Sequence, residues 1–284
     1  MEQFEAYLIS SALAAATVVN YVADLRAFLR WSERAKGVDC SPFSLNEADI
    51  QTYCSYLQKT KNHVPATVNR RLQALRKFYD FAIEQGWTQA NPASEVQLLS
   101  EVVSGRTRSL TPADVARLLA AVRCGSPRRV ARDWAVFQVL LEAGLKLTEL
   151  TQLRLEDVHL DADPPYLAVR STPGEPGRTV PLEVEAYDAL CAYLPTRKAE
   201  EGVDRLFVNR DGNPLSTRSV QRLLHHYARA AGLDALTTQS LRYVYAKKAF
   251  ESSGDLKTVA RLLGHRHLAT TIRYLRPVLP QELQ

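Results

Sequence analysis

The stretch LLGHRHLATTIRYLRP, residues 262–277, decides how this sequence is read. It sets His265 directly after Gly264 and Tyr274 nine positions further on, with Arg266, Arg273 and Arg276 close by. The glycine predicts the end of one helix, because a residue without Cβ enters a left-handed turn at no steric cost. A last short helix then carries Tyr274. A phenol among so many cations is either a core residue with a polar tip or a nucleophile aimed at an anion.

Upstream, Arg242 lies in TTQSLRYVYAKKAF, near the start of another helix. If these helices pack together, a cation, an imidazole and a phenol converge. Phosphodiester cleavage needs such a set: a nucleophile for phosphorus and cations for the charge on the non-bridging oxygens. No carboxylate cluster suggests a metal ion, so no metal or cofactor is expected, and Arg and His would carry the electrostatic work. Taken singly, a tyrosine near a helix end or a histidine after a glycine is structural in most proteins. Only their combination and order point to chemistry.

The 284 residues are 46% hydrophobic, enough for two modest domains with real cores. No apolar run approaches the roughly 20 residues of a membrane span. Met1, Glu2 and Gln3 lack the basic start of a secretory signal. Cys40, Cys54, Cys124 and Cys191 are scattered without a C-x-x-C pair, which argues against zinc and against a disulfide framework. That usage fits a reducing cytoplasm. Residues 205–284 hold 13 Lys and Arg against 5 Asp and Glu, a net of +8, whereas the rest of the chain nets −3. Such a bias is either a solvated basic face or a surface for a polyanion, most often nucleic acid.

Between Thr17 and Trp31, Val18, Tyr21, Val22, Leu25, Phe28 and Leu29 recur at helical spacing. SLNEADIQTYCSYLQ reads as a second helix, with Ser44 as N-cap and Glu47 completing a capping box. Pro65 precedes a third, TVNRRLQALRKFYDFAIEQG, with the apolar stripe Val68, Leu72, Leu75, Tyr79, Ala82 and Ile83 and an end at Gly86. These make a helical domain over residues 1–98, followed by a polar linker over 99–109.

A second domain, residues 110–284, opens with Thr111 as N-cap and Pro112 at the first helical position. DWAVFQVLLEAGL is apolar nearly all round and should be a buried helix, broken at Gly144. YLAVRS, RTVPL and RLFVN predict short strands of a small antiparallel sheet, with TPGEPG as a hairpin loop. Helix returns in STRSVQRLLHHYARAAG, LRYVYAKKAFESSG and DLKTVARLLG, each ended by glycine. The fold class is therefore mainly α, with one small sheet in the second domain.

Nearly the whole chain resembles the tyrosine recombinases, or phage-type integrases. TVNRRLQALRKFYDFAIEQGWTQANPASEV is similar to the end of that family's N-terminal, SAM-like core-binding domain. RSLTPADVARLLAA is similar to the start of its catalytic domain, and EAGLKLTELTQLRLEDV to its first-arginine motif. SLRYVYAKKAF resembles the second-arginine box, and LLGHRHLATTIRY the His–Tyr segment. The resemblance implies that Tyr274 attacks a DNA phosphate, forms a 3′-phosphotyrosyl link and releases a 5′-hydroxyl. The link conserves the bond energy, so religation needs neither ATP nor a metal. Two domains would clamp double-stranded DNA, and four protomers on paired sites would exchange strands through a Holliday junction, either as a homo-oligomer or with a partner recombinase. A cytoplasmic, nucleoid-associated protein without membrane contact follows.

Carried over residue by residue, the resemblance assigns Tyr274 as nucleophile, Arg242 as second arginine, His265 as the late His/Trp, and Glu149 as the acidic support of the first arginine. Three positions depart from the pattern. The first arginine is Lys146, a point ammonium that cannot grip two phosphate oxygens as a planar fork does. The family's histidine three residues before Arg242 is Gln239, which hydrogen-bonds but does not shuttle protons near neutral pH. The hairpin lysine that protonates the leaving oxygen falls on Pro173, which has no donor. Arg170 or Arg178 could approach instead, although arginine, with a pKa above about 12, is a poor general acid. A divergent but active recombinase and a DNA-binding relative with impaired chemistry, acting as accessory partner or regulator, both remain open.

DNA contact is expected from Arg70, Arg71, Arg76 and Lys77 on the third N-terminal helix. In the catalytic domain it is expected from Arg178 and from Arg218 and Arg222 at the start of a helix capped by Ser216 or Thr217. The tail after Tyr274, with Pro277 and Pro280, is too short for a long docking helix and would make at most a brief contact in trans. A helical transcriptional regulator and a topoisomerase are the competing classes; the hairpin and the His–Tyr segment argue against the first, the N-terminal domain against the second.

Overall fold

The chain folds as two units, Met1–Ser104 and Gly105–Gln284, each around its own apolar core. The computed structural model describes residues 1–11, 13, 15–37, 40–100, 110–171, 177–233, 236–276 and 279. Most of the linker and the hairpin loop expected from the sequence, with Pro173, lie outside the described residues.

The first unit holds α1 (Glu2–Ser10), α2 (Ala15–Lys36), α3 (Glu47–Lys59) and α4 (Pro65–Glu84). Helix α1 is not among the helices that apolar periodicity predicts. It contributes Phe4 and Leu8, both essentially fully buried, and Phe4 meets Phe78 edge-on at 5.5 Å. The capping box of α3 is displaced from the expected one: Asn46 accepts from the Asp49 N–H, and Asp49 accepts from the Asn46 N–H, each at 3.1 Å. The reason is local. Ser41 caps a 3₁₀ turn over Pro42–Ser44, which uses up the residue predicted to start the helix. The α4 stripe also differs at one place. Ile83 is exposed, while Phe78 and Phe81 turn inward.

The segment after α4 is strapped back onto it. Asn69 donates to the Leu99 carbonyl and accepts from the Leu99 N–H, at 2.9 and 2.8 Å. Arg76 donates to the carbonyls of Ala93, Ser94 and Val96. A segment without regular structure thereby satisfies its buried polar groups.

The second unit contains α5 (Pro112–Arg123), α6 (Val130–Glu142), α7 (Leu147–Gln152), α8 (Val184–Tyr193), α9 (Thr217–Ala230), α10 (Thr238–Ser253), α11 (Leu256–Leu263) and α12 (Leu268–Leu275). Thr111 and Asp114 form the capping box of α5, with Pro112 at the first position. Helix α6 is the core pillar: every residue from 135 to 141 is buried, and it packs on α5, α8 and α10. The sheet is antiparallel, β1 (Val158–His159), β2 (Tyr166–Val169), β3 (Arg178–Pro181), with Leu167 opposite Val180 and Val169 opposite Arg178.

RLFVN does not join this sheet. Leu206, Phe207 and Val208 are buried as apolar residues, but their backbone partners are loop residues: Leu206 donates to Leu153, and Phe207 accepts from Leu215. The third strand is β1 instead. Beyond α12, Leu279 is buried in this unit's own core. No described helix is long and apolar enough to cross a membrane.

Candidate active site

The site grows from three local features of the sequence. The first is the break after α6. Gly144 sits at φ +56°, a left-handed turn that leaves its carbonyl outside the helix ladder, and α7 starts three residues later. Lys146 is the N-cap of α7, and its N–H donates to Glu149 Oε2 at 2.6 Å. The second feature is the start of α10. Thr237 caps it, and Gln239 and Arg242 follow one turn apart. The third is the end of α11. Gly264, at φ +68°, stops the helix and leaves the Leu262 and Leu263 carbonyls pointing outward.

Two guanidinium groups dock on those carbonyls. Arg242 Nη2 donates to Leu263 O at 2.5 Å, and its Nη1 donates to Gly144 O at 2.6 Å. Arg178, from β3, donates through Nε to Leu262 O at 2.7 Å. Cations are favoured here, because a helix C-terminus carries partial negative charge. Arg178 then forks onto Glu149, Nη1 to Oε1 at 2.7 Å and Nη2 to Oε2 at 2.9 Å. Both side chains are under 10% exposed. Removing one partner of such a pair leaves a buried charge and costs about 3–5 kcal/mol. Burial alone would raise the Glu149 carboxyl, but Arg178 chiefly, then the Lys146 N–H and Arg242, hold it below its usual value. Glu149 Oε2 also lies 3.7 Å from Arg242 Nη1, so one carboxylate stands between two guanidiniums.

His265 approaches Arg242 Nη2 through Nε2 at 3.4 Å. A guanidinium can only donate, so this contact puts the ring lone pair on Nε2 and the ring proton on Nδ1. Nδ1 then donates to Thr271 Oγ1 at 2.9 Å. Thr271 is completely buried on α12 and fixes the ring. Tyr274, one turn further along α12, packs edge-on against His265 and Tyr243, with ring centroids 5.8 Å away in both cases. Its hydroxyl donates to the Gln239 carbonyl at 3.2 Å. Burial pushes the phenol up to about 12; Arg242 pulls it down and Tyr243 adds to the rise.

The structure thus gathers Tyr274, Arg242, His265 and Glu149, with Gln239 beside them and Lys146 joined to Glu149 through its backbone N–H. In this arrangement Gln239 meets the tyrosine through its backbone, not its amide. Arg170 does not reach the site: it pairs with Asp157 at 2.8 Å and Glu156 at 2.6 Å. Arg178 lies inside the unit, whereas the sequence suggests a DNA contact. Thr271 and the Gly144 carbonyl carry no signal that sequence reasoning could use. Gly264 carries one only as a helix stop, yet a Cβ there would lie 2.7 Å from Arg178 Nη1.

The expected N-terminal cations have intramolecular duties. Arg70 and Arg71 both pair with the buried Asp24, Arg76 holds the strap described above, and Lys77 sits 5.0 Å over the Tyr7 ring. These bonds give Arg70, Arg71 and Arg76 acceptors within their own unit, and the Arg70 side chain remains 39% exposed. By contrast, Arg218 and Arg222 are exposed on the first turns of α9, where Ser216 caps by accepting from the Ser219 N–H at 3.1 Å.

Fold and site together define a class: a helical catalytic unit in which a tyrosine, a histidine and arginines meet at helix ends, the equipment for transfer of a phosphodiester to a phenol. The chain belongs to the phage integrase family, whose model matches residues 108–278, and the family's N-terminal SAM-like domain matches residues 1–89. It is 32% identical over 283 residues to tyrosine recombinase XerD of Caulobacter vibrioides, covering 95% of this chain and 88% of that protein. It is 31% identical over 270 residues to tyrosine recombinase XerC of Halalkalibacterium halodurans, covering 91% and 86%. Among solved structures, XerH recombinase bound to a palindromic difH substrate aligns with a TM-score of 0.76 at 19% identity, covering 91% of this chain and 76% of that one. A lambda integrase dimer bound to a COC′ core site aligns at 0.75 and 18% identity, covering 95% and 94%. At these identities the structural likeness speaks for the fold alone.

Proposed function

We propose that this chain is a site-specific DNA recombinase that cleaves and rejoins strands through Tyr274. The observation that carries the reading is the meeting of Tyr274 with His265 and Arg242 at the ends of three helices. The Tyr274 oxygen forms a bond to phosphorus while the bond to the 5′-oxygen breaks; the phenol gives up its proton and the leaving oxygen takes one up. Arg242 and Lys146 offset the charge that develops on the phosphate, and His265 adds a ring nitrogen beside them. Attack by the regenerated 5′-hydroxyl reverses the step. Arg242 is only 2% exposed. The relatives named recombinases and the neighbours solved on DNA support double-stranded DNA as the substrate. Assembly on paired sites, and work at the nucleoid, belong to the same proposal. On a nicked duplex carrying its site, the purified protein should form a covalent protein–DNA adduct.

Arg218 and Arg222 are read as phosphate contacts. Replacing both with glutamine should flatten the plot of log affinity against log salt by about 1–2, since each neutralised phosphate contributes about 0.9. An unchanged slope would remove α9 from the interface.

A second reading is favoured by Lys146 and Gln239 and by the raised phenol of Tyr274: a DNA-binding member whose own chemistry is slow until a partner recombinase acts on it. Site-specific binding without any adduct supports it. Lys146→Arg combined with Gln239→His should then raise single-turnover cleavage by about 10²-fold, the usual worth of one well-placed catalytic group. A drop would mean that the site has adapted to its present residues.

A further inference from the structure

We infer that Arg178 is a positioning residue for cleavage: it keeps the Glu149 carboxylate from closing to hydrogen-bond length on Arg242, so that the Arg242 guanidinium keeps its place and its charge for the phosphate. The inference rests on the recombinase reading above. Lys146 stands where the family's first arginine would be, three residues before Glu149 and at the cap of the same short helix. The guanidinium that grips this carboxylate comes instead from β3, 29 positions along the chain.

What Glu149 would do without Arg178 follows from the distances. One of its oxygens is already ion-paired with Arg242 Nη1 at 3.7 Å, still longer than a hydrogen bond. Without Arg178, the buried carboxylate would have Arg242 as its nearest guanidinium, and an uncompensated charge at that depth is costly. The resulting pair would neutralise Arg242 and pull it from His265, which it meets at 3.4 Å. With Arg178 in place, the carboxylate is bound through both oxygens and Arg178 through all three nitrogens. The Arg178 fork is therefore engaged wholly inside the protein.

The surroundings are shaped for it. Gly264 lies against the Arg178 guanidinium so closely that any Cβ would have to displace it. Val169 fixes the register of β3 opposite Arg178. The same helix end that seats Arg178 through Leu262 seats Arg242 through Leu263, so the two cations are set side by side by consecutive carbonyls.

The test is a charge-suppression experiment on the full chain bound to nicked DNA. Single-turnover adduct formation should fall roughly 10–100-fold in Arg178→Met, the scale of a misplaced catalytic group, with DNA affinity kept. Arg178→Lys should recover part of it. The double variant Glu149→Gln with Arg178→Met should recover most of it, because no charge is left to capture Arg242. A role confined to holding the fold predicts the opposite, a double variant at least as poor as Arg178→Met, and that result overturns the proposal. A crystal structure of Arg178→Met supplies an activity-independent reading. The Glu149–Arg242 distance should shorten to hydrogen-bond length, and an unchanged distance also overturns it. If wild type forms no adduct, the recombinase reading fails by itself, and the distance alone decides the role of Arg178. Should Arg178→Met not fold, Arg178→Lys and the double variant carry the comparison.

Discussion

Replacing Tyr274 with phenylalanine is expected to abolish the covalent adduct completely while leaving the fold and DNA binding in place. Only one oxygen is lost, and its single described bond is to the Gln239 carbonyl at 3.2 Å. A bond of that kind contributes about 1 kcal/mol, a small part of the stability of a domain. The ring contacts with His265 and Tyr243 survive, so the cations keep their arrangement. Denaturing gels after incubation with nicked DNA read the outcome directly. An adduct formed by Tyr274→Phe would assign the nucleophile to another residue, and Tyr243 would be the first to replace. The wild-type rate carries a second signature. With the phenol pushed up to about 12, the phenolate fraction grows roughly tenfold per pH unit between about pH 7 and 9. If the proton leaves before attack, adduct formation should climb at that rate. A flat profile would mean that a group in the complex with DNA removes the proton during attack.

The second large effect belongs to Gly144→Ala. The residue lies at φ +56°, where a side chain costs about 1–2 kcal/mol. An added Cβ would also fall 2.1 Å from Cδ1 of Tyr245, a ring that is 8% exposed and cannot swing into solvent. Overpacking of this sort costs a further 1–3 kcal/mol or so. The sum, about 2–5 kcal/mol, should lower the melting temperature of the second unit by roughly 5–15 °C. Cleavage should fall too, because the Gly144 carbonyl is one of the two that anchor Arg242. Gly254→Ala is the matched control. It has a similar φ, +64°, with nothing within 4 Å of the new methyl group. If the two variants melt alike, the close contact with Tyr245 does not exist.

Much of the site is legible in the residues alone. Gly264 as a helix stop, Arg242 near the start of its helix, and the spacing from His265 to Tyr274 are local patterns, and the fold keeps them where the sequence puts them. Sequence and structure part where a local competition has more than one solution. Ser44 and Asn46 are both good caps, and the proline at position 42 diverts the first into a 3₁₀ turn. RLFVN has the apolar content of a strand, yet its neighbours are loops rather than a sheet edge. The cations of α4 have intramolecular acceptors that charge alone does not reveal. Asp24 and the carbonyls of residues 93–96 are out of reach of any periodicity argument.

The longer helices, their glycine stops, and the order arginine, histidine, tyrosine along the chain follow from residues within a turn or two, whereas α1, α7 and α8 do not stand out by apolar periodicity. Tertiary structure alone decided which cation serves which anion. Arg242 finds its acceptor 98 positions away at Gly144, and Arg178 finds Glu149 across 29. A guanidinium on a long flexible stem goes where buried acceptors lie, and their positions exist only once the helices have packed.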